Sequence, residues 1–174
     1  MDFRIAHLVQ DSIVDGPGLR TVVFVQGCPH GCPGCHNPDT HDPEGGSPYT
    51  TEQVIAELAS NPLTSGVTLT GGEPMAQAAA CLEIARAARA RGLGVVTYTG
   101  YTFEQLLQSD DPDIGALVAI SDWLIEGPFV LAQRTLSMPW RGSTNQRILD
   151  GAQSWARQKA VWVEKFAPQN KETP

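Results

Sequence analysis

The sequence predicts an α/β protein, a single domain with a mostly parallel sheet. Three observations carry that prediction. Short β-rich runs, Val22-Val23-Phe24-Val25, Gly66-Val67-Thr68-Leu69-Thr70 and Leu93-Gly94-Val95-Val96-Thr97-Tyr98, alternate with helical patterns. Strands joined through helices are held parallel by their crossovers. Two capping boxes and a proline-led turn mark where helices begin. At 174 residues, 41% hydrophobic and 18% charged, the chain can bury one sizeable core, and no repeat or linker divides it.

The elements follow in order. Residues 3–14 alternate loosely and read as an edge strand or hairpin arm. Asp15-Gly16-Pro17-Gly18 is a turn, because Asp and Gly tolerate unusual backbone angles and Pro fixes one of them. Leu19 to Gln26 reads as a buried strand, and the polar stretch from Pro38 to Pro48 as a surface loop. Thr50-Thr51-Glu52-Gln53 opens a helix reaching about Ser60. The strand at residues 66–70 ends in Gly71-Gly72-Glu73-Pro74, and the helix after it runs from about Met75 to Arg91 with Gly92 as its stop. Arg86, Arg89 and Arg91 suit the negative end of that helix. A third strand, residues 93–98, breaks at Thr99-Gly100, and Thr102-Phe103-Glu104-Gln105 starts a short helix. Ile114–Ile120 is apolar, Trp123–Glu126 reads as a strand stopped by Gly127-Pro128, and Ala160–Val163 as a late strand. The tail from Pro168 should fray.

Composition narrows the function. A net charge of -7 and a pI near 4.9 argue against a nucleic-acid footprint, which needs a basic face. No apolar run reaches membrane-spanning length and the first residues lack a signal-peptide layout, so a cytoplasmic protein is expected. Thiols stay reduced there, and four cysteines read as ligands or redox groups.

Three of the cysteines stand in Gly27-Cys28-Pro29-His30-Gly31-Cys32-Pro33-Gly34-Cys35-His36-Asn37, spaced Cys-x3-Cys-x2-Cys directly after a strand. Soft thiolates on one Gly- and Pro-rich loop make a metal or cluster clip, one ligand short of four. A structural zinc site completed by His30 or His36 is the competing reading, but such sites pair two ligand couples and no second couple exists here. An iron–sulfur cluster is favoured. Cys81 lies among alanines in a predicted helix and reads as a core thiol. Gly71-Gly72-Glu73-Pro74 is a common kind of turn on its own. Placed between a strand and a helix, it lets a ligand approach the backbone. In parallel sheets ligands bind at the carboxyl ends of the strands, so this turn, the cysteine loop and the Thr99-Gly100 break should meet at one mouth.

With those motifs in view, the chain resembles the radical S-adenosylmethionine superfamily, and within it the glycyl-radical activating enzymes. Val14-Asp15-Gly16-Pro17-Gly18-Leu19-Arg20, the cysteine loop with His36-Asn37, and Thr70-Gly71-Gly72-Glu73-Pro74 carry the resemblance. Leu124 to Phe129 and Trp140-Arg141-Gly142-Ser143-Thr144-Asn145-Gln146 narrow it to the activating proteins of anaerobic ribonucleoside-triphosphate reductases. The likeness spans about residues 12 to 147 and implies a partial (β/α) barrel of radical SAM type over a core of about residues 12 to 165.

The resemblance also implies a chemistry. Cys28, Cys32 and Cys35 would hold a 4Fe-4S cluster whose open iron binds S-adenosylmethionine. Gly34 and His36 would lie near the adenine, Gly72 and Glu73 near the methionine amine, and Gly71 and Pro74 would complete the cosubstrate-binding set. Reductive cleavage would give a 5′-deoxyadenosyl radical that takes hydrogen from a glycine of the partner reductase, with a flavodoxin- or ferredoxin-type protein as electron donor, in an anaerobic setting. Members often carry an aromatic residue before the third cysteine. Gly34 stands there in this chain, which leaves His36 as the ring. Asp15 and Arg20 read equally as a turn Asp with a solvated Arg or as groups docking the partner's glycine loop. Trp140 and Arg141 read equally as local packing or partner surface, and His7 and His41 as surface residues. An activase of the pyruvate formate-lyase type is the nearest alternative, and a zinc or electron-transfer module a more distant one.

Overall fold

The computed structural model describes residues 1–169. Residues 170–174, most of the expected tail, lie outside the described residues. Among the described residues seven strands form one sheet: β1 (Asp2–Ser12), β2 (Arg20–Val25), β3 (Ser47–Thr50), β4 (Gly66–Gly71), β5 (Gly94–Thr99), β6 (Trp123–Glu126) and β7 (Arg147–Leu149). Their order is β3-β1-β2-β4-β5-β6-β7. The central strands β2, β4, β5 and β6 are parallel. The flanking pairs β3–β1, β1–β2 and β6–β7 are antiparallel. β3 and β7 end the strand order and do not pair with each other, so the sheet is open rather than a closed barrel.

Among the described residues five α-helices accompany it: α1 (Thr51–Glu57), α2 (Ala78–Ala90), α3 (Phe103–Leu106), α4 (Pro112–Ile120) and α5 (Gly151–Arg157). Both capping boxes form as the sequence predicts, at Thr50 with Gln53 and at Thr102 with Gln105. None of the described helices is long and apolar enough to cross a membrane. Alternation sorts the strand side chains onto two faces. Val23, Val25, Val67, Leu69, Val95 and Leu124 pack with Val54 of α1, Leu82 and Ile84 of α2, and Leu117 and Val118 of α4. The small residues of α2, with Cys81 fully buried among them, let that helix lie close to the sheet. A smaller cluster of Val96, Ile125 and Ile148 joins Trp123, Trp140, Val163 and Phe166. Phe24, Thr70 and Tyr98 line a cavity.

Several expectations are corrected. Residues 2–12 form the hairpin arm of the two readings, antiparallel to β2, but not an edge, because β3, starting at the end of the stretch read as loop, covers β1; Pro48 lacks an N–H donor, and an edge strand tolerates that. The helix expected from Met75 begins as a 3-10 turn at Pro74–Gln77 and becomes α-helical only at Ala78. α1 stops at Glu57, short of Ser60. Ile114–Ile120 belongs to α4, and residues 160–163 supply only one bridge, Trp162 to Leu149.

Arg20 is the largest correction. Instead of a solvated or partner-facing group, it is 2% exposed at the start of β2, away from the cysteine loop that follows the end of that strand. Its guanidinium donates to Thr68 Oγ1 at 2.7 Å, Val67 O at 2.5 Å, Pro17 O at 3.0 Å and Gly94 O at 3.1 Å. Burial lowers its pKa to about 10, so it stays charged at neutral pH and needs those acceptors. Gly66 leaves the room, since a Cβ there would sit 2.7 Å from both terminal nitrogens. Arg20→Ala is expected to cost about 2–4 kcal/mol in urea unfolding, because it strands several buried acceptors. A loss under about 0.5 kcal/mol, the range of neutral surface changes, would contradict that network.

Candidate active site

Three loops converge, two of them stitched together by backbone hydrogen bonds and the third tied in by a side chain. Beyond β2, Gly27 N donates to Thr40 O at 2.8 Å and Cys28 N to His41 O at 3.1 Å, so the turn at residues 38–41 closes under the cysteine loop. The buried Gln26 side chain clamps that turn by donating to Asp39 O and Asp42 O. Beyond β4, Gly72 N donates to Val25 O and Glu73 N to Gly27 O, each at 2.8 Å. Gly71 holds φ +100°, and a Cβ on it would lie 2.6 Å from Phe24 Cα, so any side chain would force these two strand ends apart.

Glu73 ties the third loop in. It is 0% exposed, and its carboxylate accepts from Met75 N at 2.9 Å, from Gly100 N at 2.8 Å and from His30 Nε2 at 2.7 Å. His30 lies between Cys28 and Cys32 and packs edge-on against Tyr101, ring centroids 4.5 Å apart. One carboxylate therefore spans the cysteine loop, the turn after β4 and the turn after β5.

Above this clip lies a cleft of about 150 Å³, lined among others by Cys28, Cys32, Cys35, His36, Gly71 and Gly72. All three cysteines are free and half-buried. Burial pushes the Cys28 thiol up, and Asn37 N donates to Cys35 Sγ at 3.4 Å. Among the described residues no three His, Cys, Asp or Glu groups converge as a single-ion site. The three free thiols share this one mouth. Of the other expected site residues, Gly34 abuts Leu131, while Glu73 and Pro74 are buried outside the lining. The His36 ring tilts over Phe129 at 5.0 Å.

A second cavity of about 500 Å³ continues outward, sharing His36, Asn37, Thr70, Tyr98, Phe129 and Gln146 with the first. Asp15, Trp140 and Arg141 all line it, whereas Arg20 does not. Trp140 also packs on Trp123 and Phe166, with centroids 5.0 and 5.6 Å away. Burial lowers the Arg141 pKa. Sequence reasoning missed what two histidines do. The roles of His30 and His41 depend on contacts with segments distant in the chain. His41, expected as a surface residue, lines the cysteine cleft with its Nε2 shut away from solvent. His7 is exposed as expected and stacks on Phe24.

Comparison with known proteins agrees with this geometry. A family model described as a 4Fe-4S single cluster domain matches residues 14–149. The anaerobic ribonucleoside-triphosphate reductase-activating protein of Vibrio cholerae is 35% identical over 144 residues, covering 78% of this chain and 90% of the relative. Its namesake from enterobacteria phage T4 is 33% identical over 155 residues, 86% of this chain and 91% of the relative. The pyruvate formate-lyase-activating enzyme of Clostridium pasteurianum is 36% identical over 117 residues, 62% of this chain and 49% of the relative. A cysteine-lined cleft inside the matched 4Fe-4S domain, together with near full-length similarity, shows that the chain belongs to the family of anaerobic ribonucleoside-triphosphate reductase-activating proteins.

Proposed function

We propose that this chain, working in the cytoplasm as a partial-barrel radical SAM protein, activates an anaerobic ribonucleotide reductase by generating a glycyl radical on it. The observation that carries the reading is the continuous cleft, with three free cysteines at its inner end and an opening lined by Asp15, Trp140 and Arg141. Cys28, Cys32 and Cys35 would hold the 4Fe-4S cluster. When bound, that cluster supplies the electron that cleaves S-adenosylmethionine.

The chain's own residues position and shield. Gly71 and Gly72 present bare backbone to the cleft, which suits the methionine end of the cosubstrate. The Glu73 carboxylate is already committed to three donors, so its part is to hold the loops rather than to grip an amine. His36 and Phe129 offer ring surface in the segment that the two cavities share, as an adenine needs. Beside the turn that begins at Asp15 lie the exposed Ile13 and Val14, and the exposed Leu136 lines the outer cavity. Apolar residues at such a mouth suit a docking protein. A flavodoxin- or ferredoxin-type protein would supply the electron.

Anaerobically purified protein is expected to hold about four irons and four sulfides per chain. Reduced in the presence of S-adenosylmethionine, it should release 5′-deoxyadenosine and raise a glycyl-radical EPR signal on the reductase. One zinc per chain with no cleavage would sink the proposal. The similarity to pyruvate formate-lyase activators supports a second partner, and comparing radical yield on the two partner enzymes separates the readings.

A further inference from the structure

Three described side chains bury a polar atom without any hydrogen-bond partner: His41 Nε2, Arg141 Nε and Asn145 Oδ1. His41 alone of these lines the cysteine cleft. Native proteins rarely leave such atoms unpaired, so each calls for a functional or structural reason. The backbone of His41 is fixed, because its carbonyl accepts from Cys28 N at 3.1 Å and its amide donates to Pro38 O at 3.2 Å. The imidazole is thus mounted on the turn that closes under the first cysteine. Neutral imidazole carrying its proton on Nε2 is a donor, and cluster sulfurs and thiolates are acceptors. Hydrogen bonds to those sulfurs favour the reduced, more negative state and raise the potential.

We infer that His41 donates through Nε2 to a sulfur of the bound cluster and so sets its reduction potential. The inference rests on the cluster reading above, and iron and sulfide analysis tests that reading first. His41 is a tuning residue for the step that needs the strongest reductant, and it requires no contact with S-adenosylmethionine.

The test is an EPR-monitored redox titration of the loaded enzyme without S-adenosylmethionine. His41→Phe keeps a ring and deletes the donor, whereas His41→Gln retains an N–H near the same place. His41→Phe is expected to lower the reduced-to-oxidised ratio about tenfold at a fixed poise, about 59 mV for one electron. His41→Gln should stay close to the wild-type potential. An unchanged potential in His41→Phe, or equal shifts in both variants, overturns the inference, and weakened S-adenosylmethionine binding with no potential shift reassigns the ring to the cosubstrate. Should His41→Phe fail to load a cluster, native enzyme labelled with 15N-histidine decides. Pulsed EPR of its reduced cluster should show a weakly coupled nitrogen that is lost in His41→Gln, and its absence overturns the inference.

Discussion

Cys28→Ala, Cys32→Ala and Cys35→Ala are each expected to lose the cluster and reduce S-adenosylmethionine cleavage to background, while Cys81→Ala keeps both. The contrast follows from where the thiols lie. The three loop cysteines are half-buried around one cleft, within reach of metal and solvent. Cys81 is fully buried in α2, and desolvation pushes its pKa up to about 12. Ligands to iron are thiolates, so a thiol held protonated in an apolar layer makes a poor fourth ligand. Cys81→Ala should cost only about 1 kcal/mol, the scale of a small core truncation. Iron and sulfide content, the visible absorption of the cluster and release of 5′-deoxyadenosine are the measurements. Loss of the cluster in Cys81→Ala would mean that this cysteine completes the coordination, leaving no open iron for the cosubstrate.

The cysteine loop, the Gly-Gly-Glu-Pro turn and the parallel core were legible because each is a local pattern. Cysteine spacing, glycine placement and β-rich runs are read within a dozen residues. β7 and α5 escaped notice although Asp150 caps α5 by accepting from Gln153 N, an Asp-x-x-Gln signal present in the sequence. The strand before it is only Arg147–Leu149, too short to show a period of two. Arg20 reads from the sequence as solvated or as partner-facing because charge predicts exposure. Its burial depends on acceptors from β4, from Pro17 and from Gly94, the last of them 74 positions away. The long segment from Gly127 to Gln146 gave no periodic signal, since hydrogen bonds between its own arms order it, such as Thr135 N to Gly142 O. Polar groups satisfied across large sequence separations leave no one-dimensional trace.

Glu73→Ala is expected to produce the largest loss of stability of any change at the site, about 3–5 kcal/mol. The buried amide of Met75 and the partly buried amide of Gly100 would be left with no acceptor, at about 1–3 kcal/mol each, and a void would remain. Glu73→Gln preserves the volume, but its amide nitrogen must face one of three donors, so about 1–3 kcal/mol should be lost. Stability alone would not separate a cluster role from a packing role. His30 provides the separation, because it alone links this carboxylate to the cysteine loop by a side-chain bond. Gly100 borders the slot that holds His30, and a Cβ there would come within 2.5 Å of its ring. Gly100→Ala should therefore push the imidazole away while leaving Glu73 its two amide donors. If the clip matters for the cluster, Gly100→Ala will bleach faster than wild type when the loaded protein meets an iron chelator, and its urea midpoint will fall less than that of Glu73→Ala. Wild-type bleaching in both Gly100→Ala and His30→Phe would show that the backbone bonds from Gly27 and Cys28 hold the loop unaided, and Glu73 would then be a buried cap for the turn after β4 alone.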